Sequence, residues 1–530
     1  MLHHSKASKL FTGIFAALLI IQGCSSPGEG DNPSLSLTLA PSSLPAEGGK
    51  VTATVDWSSC KWKISEEAEK GEKIVSSFST VYAGAEGSSG STEVILDISA
   101  NPSSGKRSTT VKVSSLDGKV SAEGVITQEG LIIVPPEPVS ITVDPSQTHQ
   151  SIDGWGAMNL GANWGAHDYW SEEETDLLMD NLGLNIMRVR ISPNESEWER
   201  LVPTIRYAVE KYGTLVLASP WSMPASMKDN GSINGSTDGV QSHLKKESYA
   251  DYALYLEKFA STMKEKGAPI YAVSVQNEPD WPATYEGCLW SADNHKEFLS
   301  ENADKIESAL VASGESMGTD HSFYTPALND EKACDNLDIV AGHLYGTTPK
   351  SFSLVQEKGK RLWMTEHLLN ESWDNGSSHW KETLEMVSEM NSCMLTGWNA
   401  YIWWYGRRYY SLIGDGEKDT SRGTILQRGY AFSQFSRYIK SGYRRIGASI
   451  KGNSSLEFSA YEGDGHTVLV IINKASSGIE GVQVLFPSDA SAAKATCTSP
   501  DGNRYDLKLT PSGNKTSFTV PAESITTVIL

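Results

Sequence analysis

The chain has 530 residues, of which 39% are hydrophobic and 21% are charged, a composition typical of folded globular domains rather than of disordered chains or coiled coils. Its formal net charge is −20, which argues against a broad nucleic-acid surface because phosphate backbones are bound by clustered basic side chains. At about 150 residues per domain, the length predicts three to four domains, or one large barrel with additions.

The first 24 residues are predicted to be a signal peptide. A short basic region precedes an apolar run over residues 10–21, which is too short to span a bilayer as a helix. The run ends in Ile21-Gln22-Gly23-Cys24, which resembles the lipobox of bacterial lipoproteins, so Cys24 would be the lipidated N-terminus. This resemblance implies a lipoprotein of the bacterial cell envelope, at the outer membrane or cell surface. An ordinary cleaved secretion signal and an uncleaved anchor are the alternatives.

An all-β module is predicted over residues 36–130, after a flexible tether over 25–35. Its β-rich runs are short and are separated by Ser, Gly and Asn clusters, which is typical of a small β-sandwich. The pattern resembles the BACON-type immunoglobulin-like modules that precede catalytic domains in surface glycosidases. Trp57 and Trp62 are expected to pack in its core, with stacking on sugars as the alternative. A Pro-rich linker follows over 131–138.

From 152 to 440, short apolar runs alternate with amphipathic stretches, which predicts parallel strands and crossover helices. This length fits a (β/α)8 barrel. A doubly wound sheet is the alternative, although no Gly-rich phosphate loop follows a strand. The candidate strands are 185–191, 214–218, 270–275, 339–343, 362–365 and 400–404. The candidate helices include 171–181, 198–211, 249–265, 294–313 and 380–391. After residue 441 the helical period disappears, which predicts a second β-domain at the C-terminal end.

No metal or cofactor site is predicted. The five cysteines after Cys24 are widely spaced and form no CxxC pair, so a structural zinc site is not expected. An oxidising compartment would permit disulfides, but the spacing assigns none. No His, Asp and Glu residues cluster with metal-ligand spacing, so neither a metal ion nor an organic cofactor is expected.

Two glutamates are predicted to end strands of the barrel. Glu278 ends the run that begins at Tyr271, and Glu366 ends the run that begins at Arg361. The carboxyl ends of barrel strands form the active-site face, and the 88 residues between the glutamates correspond to about three βα units. Strands 4 and 7 would therefore bring two carboxyl groups together across the mouth, as glycoside hydrolysis requires. The alternative is that each glutamate only caps a helix or pairs with an arginine.

Several motifs together resemble glycoside hydrolase family 30. They are IDGWG at 152–156, NIMRVR at 185–190, SPWSMPASMK at 219–228, SVQNEP at 274–279, HLY at 343–345 and WMTE at 363–366. The resemblance covers about residues 139–530. It implies an α/β fold, a (β/α)8 TIM barrel over 152–440, with a β-sandwich side domain built from 139–151 and 441–530. The N-terminal immunoglobulin-like module would be a third part.

The same resemblance implies roles for individual residues. Glu278 would be the general acid/base and Glu366 the nucleophile of a retaining mechanism. Arg188 matches a residue that hydrogen-bonds the nucleophile, with a purely structural ion pair as the alternative. Asn277 matches a residue that contacts the sugar 2-hydroxyl, and Tyr345 is expected to touch the nucleophile. In this mechanism the pKa of Glu278 should be raised, and a nearby cation should lower the pKa of Glu366.

Further substrate contacts are expected around the mouth. The resemblance places Trp221 and His343 at substrate subsites. Aromatic faces suit the apolar faces of pyranose rings, so Trp155, Trp281 and Trp404 are also predicted to line the mouth.

Residues 403–410 resemble the segment after strand 8 in glucuronoxylan-specific bacterial members of family 30. In those enzymes an Arg and a Tyr hold the carboxylate of a 4-O-methylglucuronic acid branch, and the matching residues here are Arg408 and Tyr410. An arginine fork suits a carboxylate, whereas the alternative for Arg408 is a salt bridge to a loop carboxylate. Family members also use a Ser after the nucleophile. Ser372 is the candidate, in a loop that differs from the family's pattern.

The function implied is retaining, endo-acting hydrolysis of β-1,4-xylosidic bonds in glucuronoxylan. The expected partner is this polysaccharide and not nucleic acid, with membrane contact only through the lipid anchor and with a monomeric chain. Other family 30 activities, namely β-glucosidase, β-1,6-glucanase or β-xylosidase, are alternatives. A non-catalytic polysaccharide-binding lipoprotein is a further alternative.

Overall fold

The computed structural model of the protein describes residues 32–68, 72–132, 137–161, 168–369, 379–452 and 454–530. The chain divides into two compact units, Met1–Pro135 and Pro136–Leu530. The predicted signal peptide with Cys24, and also Ser372, lie outside the described residues. Within the described ranges, none of the helices has the length and apolar character needed to cross a membrane.

The first unit is an all-β module with its own hydrophobic core. Along its longest strand, Val51, Ala53 and Val55 are buried in alternation with more exposed residues, as a strand with one face in a core requires. Trp62 is fully buried, and Trp57 packs against the same core. The strands are β1 Ser34–Ala40, β2 Ser43–Leu44, β3 Gly49–Ala68, β4 Val75–Phe78, β5 Tyr82–Ile98, β6 Arg107–Ser115 and β7 Ser121–Gln128. They pair in the order β2-β7-β6-β3-β5-β4, and β1 pairs with β3.

The second unit contains a closed barrel of eight parallel strands, which confirms the predicted TIM barrel and rules out a doubly wound sheet. One strand outside the barrel, β8 (Ser140–Ser151), precedes it. The next strands in chain order are β9 Gly154–Asn159, β10 Ile186–Ile191, β11 Leu215–Pro220, β12 Ser236–Thr237, β13 Val240–Gln241, β14 Ala272–Ser274, β15 Leu310–Ala312, β16 Ile339–His343, β17 Arg361–Glu366 and β18 Ala400–Trp403. Of these, β12 and β13 form a separate hairpin, and the others close the barrel.

An apolar layer fills the barrel interior at the amino ends of its strands. Ile186, Ala272, Ile339 and Ala400 are the first residues of their strands, and all four are fully buried in one cluster with Trp363. The barrel is therefore a packed core at this end, and polar side chains can converge only toward the carboxyl ends.

Helices surround the barrel and cover its outer face. Along α3, the buried residues recur at the spacing of one helical face and include Tyr252, Leu256, Phe259 and Met263. The described helices are α1 Glu172–Asp176, α2 Val202–Tyr212, α3 Tyr249–Glu265, α4 Ala292–Asn302, α5 His321–Asn329, α6 Glu331–Asp335, α7 Ser353–Glu357, α8 His379–Leu395 and α9 Gln427–Ser436. The predicted helix over 294–313 is wrong in its second half, because residues 310–312 pair with β14 in the barrel as β15.

Both ends of the second unit meet in one ten-stranded sheet. Its strands after the barrel are β19 Arg444–Lys451, β20 Glu457–Gly463, β21 His466–Asn473, β22 Ile479–Leu485, β23 Lys494–Ser499, β24 Gly502–Asp506, β25 Thr510–Ser512, β26 Lys515–Val520 and β27 Ser524–Ile529. Strand β8 lies between β19 and β22. Along β21, Leu469 and Ile471 enter the core of this side domain, whereas Val468 and Val470 join the core of the barrel and its helices. The alternation packs the side domain against the barrel.

Candidate active site

Charged side chains meet at the carboxyl ends of the barrel strands. Glu366 and His343 are the last residues of β17 and β16, and a register shift after Gly342 pairs the two. Glu278 follows β14, and Arg188 is fully buried within β10. Both glutamates open onto a cavity of about 610 Å³. Its described lining consists of Trp221, Asn277, Glu278, Trp281, Tyr285, Met317, Tyr345, Gly346, Glu366, His367, Leu368, Leu369 and Trp404.

Glu366 is held by two hydrogen-bond donors. Arg188 Nη1 donates to its Oε2 at 2.5 Å, and the Tyr345 hydroxyl donates to its Oε1 at 3.0 Å. Burial raises the pKa of Tyr345 well above its usual value, so the hydroxyl remains protonated and can only donate to this carboxylate. The other Arg188 nitrogens are also engaged, with Ser219 Oγ at 3.2 Å and Asn277 Oδ1 at 2.7 Å. The guanidinium therefore fixes the nucleophile candidate and the neighbouring amide together.

Glu278 sits on a strained backbone that neighbouring strands hold in place. Its φ of +46° lies in the left-handed region, which is unfavourable for a residue with a Cβ. Its N–H donates to the carbonyl of Glu315 at 3.0 Å. At the side chain, His343 Nδ1 lies 3.2 Å from Oε1, and the Tyr285 hydroxyl lies 3.5 Å from Oε2. These contacts aim the carboxyl group at the cavity.

The two carboxylates are close to each other and to a histidine. One oxygen of Glu278, one oxygen of Glu366 and one ring nitrogen of His343 lie within 4.8 Å of one another. Three such donors could in principle hold a metal ion. However, the guanidinium of Arg188 is bonded to Glu366, and its positive charge opposes a second cation at this place. The arrangement fits a carboxylate pair held by positive side chains better than a metal centre.

Burial and neighbouring charges set the protonation of this cluster. Burial raises the pKa of Glu366, and the charges of His343 and Arg188 oppose that rise. Arg188 thus lowers the pKa of Glu366 in the direction expected of a nearby cation, but burial is the larger effect and the net direction is upward. For His343, burial alone would lower the pKa, but Glu366, Glu278 and Glu315 together raise it to about 9. The imidazole is consequently a cation at neutral pH.

Aromatic side chains form much of the cavity wall. Trp221 and Trp404 lie with ring centroids 6.0 Å apart, and the Arg188 guanidinium lies 5.0 Å from the Trp221 ring. Trp281 and Tyr285 stand at the rim, where 41% and 42% of their surfaces are exposed. Such faces can stack on the apolar faces of sugar rings, while the carboxylates supply the polar chemistry.

Comparison with known proteins assigns the family. The family model described as the Glycosyl hydrolase family 30 TIM-barrel domain matches residues 180–319. Glucuronoxylanase XynC of Bacillus subtilis (strain 168) is 37% identical over 398 residues, which cover 74% of this chain and 91% of that relative. The chain belongs to glycoside hydrolase family 30. As a member of this family it is a glycoside hydrolase.

Two solved structures of family 30 enzymes agree with this assignment. The family 30 subfamily 8 xylanase Xyn30A from Clostridium acetobutylicum is 31% identical, with a TM-score of 0.66 over 74% of this chain and 99% of that one. The family 30 endoxylanase from Clostridium papyrosolvens C71 is 30% identical, with a TM-score of 0.65 over the same shares.

The structure brings most of the predicted site residues of this family 30 hydrolase together. The residues that line the cavity or bond to its glutamates are Arg188, Trp221, Asn277, Glu278, Trp281, His343, Tyr345, Glu366 and Trp404. Trp155 is not among them, and its predicted place at the mouth is wrong. It is only 1% exposed, its indole donates to the carbonyl of Ile439 at 2.9 Å, and its ring packs on Phe435. This residue of β9 points outward, into the helix layer.

The loop after β18 differs from the prediction for uronate binding. Arg408 Nη1 donates to Asp415 Oδ2 at 3.0 Å, and 17% of the Arg408 side chain is exposed. Tyr410 is 2% exposed and packs edge-on against Tyr409. The predicted presentation of the Tyr410 hydroxyl to a ligand is therefore wrong in this structure. Both residues lie outside the cavity lining that the described residues form, and Ser372 falls outside those residues.

Sequence reasoning missed two parts of the site. Glu315, which follows β15, is fully buried beside Arg188. An ion pair also holds the loop that carries Trp281 and Tyr285. Arg190 donates to both carboxylate oxygens of Glu286, the next residue of this loop, at 3.1 and 2.5 Å. The motif NIMRVR at 185–190 contained a signal for this ion pair, since Arg188 and Arg190 share one strand face.

Proposed function

We propose that this family 30 hydrolase cleaves internal β-1,4-xylosidic bonds of glucuronoxylan with retention of configuration. The main support for the mechanism is the short distance between Glu278 and Glu366. One carboxylate oxygen of each lies within 4.8 Å of the other, beside an open cavity. Retaining glycosidases hold their carboxyl groups about 5–5.5 Å apart, whereas inverting enzymes need about 6.5–9.5 Å to fit a water molecule between them. A pair this close supports direct attack by one carboxylate.

In the first step, protonated Glu278 donates its proton to the glycosidic oxygen as the bond to the anomeric carbon breaks. The carboxylate of Glu366 attacks that carbon and forms a glycosyl ester. Arg188 and Tyr345 hold Glu366 in position for the attack. The protonated His343 lies 3.2 Å from Glu278 and stabilises the carboxylate that this proton transfer leaves behind.

In the second step, the carboxylate of Glu278 takes a proton from a water molecule. The resulting hydroxide attacks the anomeric carbon from the face that the leaving group vacated, and the ester bond to Glu366 breaks. Two inversions at one carbon give net retention, and both glutamates return to their starting protonation states.

Similarity to relatives supports the substrate part of the proposal. XynC is named as a glucuronoxylanase, and both solved structures are named as xylanases. The matches cover at least 91% of each of these proteins. In the cavity, Trp221, Trp281 and Trp404 offer aromatic faces of the kind that pyranose rings stack on.

Product analysis tests this function. The protein is incubated separately with glucuronoxylan, unbranched xylan and β-1,6-glucan, and the products are identified by mass. We expect a series of uronate-bearing xylo-oligosaccharides from glucuronoxylan and much slower cleavage of unbranched xylan. Release of single sugars only, or cleavage of β-1,6-glucan alone, would contradict the proposal and favour another activity of the family.

Uronate recognition is proposed for Arg408. The side chain is partly exposed in the loop after β18, where its Nη1 donates to Asp415 and its guanidinium lies 5.2 Å from the Tyr409 ring. A carboxylate that reaches the exposed part of this guanidinium would be bound by charge-assisted hydrogen bonds. Asp415 orients the guanidinium and also reduces its net attraction for an anion. The contribution of Arg408 should therefore be moderate.

Arg408→Ala is expected to lower kcat/KM on glucuronoxylan by about 10- to 150-fold, since hydrogen bonds to charged groups are worth about 1.5–3 kcal/mol. Activity on unbranched xylan should hardly change, and Arg408→Lys should recover only part of the loss, because lysine lacks the planar fork. Steady-state kinetics on both substrates measure the effect. Asp415→Asn is the matched control, because it alters the orientation of Arg408 without removing its charge. Equal losses on branched and unbranched xylan would show that Arg408 only supports the loop.

The proposed enzyme is a cell-surface lipoprotein anchored through Cys24, with the first unit as a BACON-like module. The lipobox-like sequence and the all-β fold of the first unit support this part. In a bacterial host, labelled palmitate should be incorporated into the wild type and not into Cys24→Ala. Equal labelling of both proteins, or of neither, would contradict lipid attachment at Cys24.

A further inference from the structure

A third carboxylate lies beneath the two glutamates of the cavity. Glu315 follows β15 and is fully buried. Its backbone runs beside that of Glu278, because its carbonyl accepts from the Glu278 N–H at 3.0 Å and its own N–H donates to the Gln276 carbonyl at 2.8 Å. The residue thus supports the strained turn that presents Glu278 to the cavity.

One carboxylate oxygen of Glu315 lies close to two cations. Its Oε1 lies 3.1 Å from Arg188 Nη2 and 3.7 Å from His343 Nε2. All three side chains are fully buried, so solvent does not screen the charges. A carboxylate buried in this way is tolerated only when it is paired with positive charge.

The charges of the cluster balance in one protonation state. With Glu315 and Glu366 ionised and with Arg188 and His343 protonated, two negative charges face two positive charges. The cluster is therefore neutral when Glu278 holds its proton, which is the state that begins the reaction. Without the charge on Glu315, the buried pair of cations would face a single carboxylate, and His343 would lose its proton more easily beside Arg188.

We propose that Glu315 is a positioning residue for the hydrolysis, whose buried carboxylate holds Arg188 and His343 as two fixed cations between Glu278 and Glu366. This inference rests on the proposed function, since the two glutamates must be the reacting pair. As Glu278 releases its proton, the His343 cation stabilises the new carboxylate, and Glu315 keeps that cation charged and in place.

The directions of the pKa shifts agree with this arrangement. Burial alone would raise the pKa of Glu315, but Arg188 and His343 hold it below its usual range. The groups that face His343 from the neighbouring strands are Glu278, Glu315, Glu366 and Arg188, with the edge of the Tyr345 ring beside them. Loss of the Glu315 charge should therefore shift the titration of His343 to lower pH.

The titration of His343 can be observed directly by NMR. In protein with isotope-labelled histidine, the signal of His343 is assigned as the one missing from His343→Asn. We expect it to remain that of an imidazolium up to about pH 8 in the wild type, consistent with a pKa of about 9. In Glu315→Gln the midpoint should fall by roughly one to three pH units, the usual effect of one nearby charge. Glu315→Asp, which keeps the charge, should shift it less.

A matched control separates this effect from general disturbance of the fold. Glu389 is another carboxylate that contacts a histidine of the cavity, with Oε1 2.8 Å from His367 Nδ1. Glu389→Gln should change the signal of His367 and leave the titration of His343 in place. If His343 responds equally to both variants, the specific link with Glu315 is overturned.

Kinetics then connect the titration to the reaction. Glu315→Gln should lower kcat by about 10- to 100-fold while KM changes little, because Glu315 does not contact the substrate and its loss weakens acid–base transfer. The loss should deepen as pH rises through neutrality, and Glu315→Asp should restore part of the rate. A loss that is uniform across pH would indicate a merely structural role and contradict the proposal.

The outcomes distinguish this inference from the proposed function. If the wild type does not cleave xylan, the proposed function fails, and the variants are assayed on the glycan that the wild type does cleave. If Glu315→Gln does not fold, the titration of His343 is compared by NMR between the wild type and Glu315→Asp instead. A wild-type His343 that is already neutral at about pH 6.5 overturns the proposal, whatever the substrate.

Discussion

Replacing Glu366 by Gln is expected to lower kcat on glucuronoxylan by about 10⁴- to 10⁶-fold, the scale seen when a covalent nucleophile is removed. An amide has nearly the same shape as the carboxylate, but it cannot form the glycosyl ester. The fold should survive, because Arg188 still contacts Glu315 at 3.1 Å and can donate to the amide oxygen. Initial rates of the wild type and the variant, with thermal unfolding of both, measure the two effects.

Tyr345→Phe serves as the matched control for Glu366→Gln. It removes one donor to the same carboxylate but leaves the nucleophile itself, so its loss should be only about 10-fold. A loss below about 100-fold in a folded Glu366→Gln would mean that another group attacks the sugar. The assignment of Glu366 as nucleophile would then be wrong.

Replacing Glu278 by Gln should lower kcat/KM on xylan by about 10²- to 10⁴-fold, because an amide cannot protonate the leaving oxygen. The loss should depend on the substrate. On an aryl xylobioside whose leaving group departs without protonation, kcat/KM should fall by less than about tenfold, since this parameter reports the first step. Kinetics with the two substrates measure the difference.

The Glu278→Gln comparison also has an internal control. The second step still needs a base to activate water, so kcat on the aryl substrate should remain low while kcat/KM is high. Addition of azide, a nucleophile that needs no general base, should raise this kcat. Equal losses of kcat/KM on both substrates would show that Glu278 supports the turn rather than transferring the proton.

The barrel and its two glutamates are predictable from the sequence because their signals are strong and redundant. Runs such as 214–218 and 339–343 are mostly apolar, β-rich and separated by amphipathic helices, so that small boundary errors do not change the fold. Glu278 and Glu366 each stand within a motif that resembles family 30, and the spacing of strands 4 and 7 agrees with that resemblance.

Glu315 could not be predicted because the strand before it is too short to give a pattern. Leu310–Ala312 has three residues, and its apolar side chains continue the helical spacing of the preceding segment. Only its pairing with β14 and β16 makes it a strand. The charged role of Glu315 depends on this long-range pairing, which local sequence does not contain.

The direction of individual side chains could not be predicted from the sequence either. Barrel strands are buried on both faces, so β9 has no alternation of apolar and polar residues that would show whether Trp155 points inward or outward. In the loop after β18, spacing from Trp404 identifies Arg408 and Tyr410 but not their orientation. Packing against Tyr409 and pairing with Asp415 decide that orientation, and both depend on the folded loop.

Trapping of the glycosyl intermediate would identify the nucleophile of this hydrolase. A xylobiosyl donor with fluorine at C2 and a good leaving group at C1 should glycosylate the nucleophile as the leaving group departs. The glycosyl ester formed should hydrolyse slowly, because the fluorine destabilises both oxocarbenium-like transition states. Mass spectrometry of the digested protein should then locate one fluoroxylobiosyl group on Glu366. A label on another residue would show that Glu366 is not the nucleophile, and turnover without any adduct and with an inverted product would show that the enzyme is not retaining.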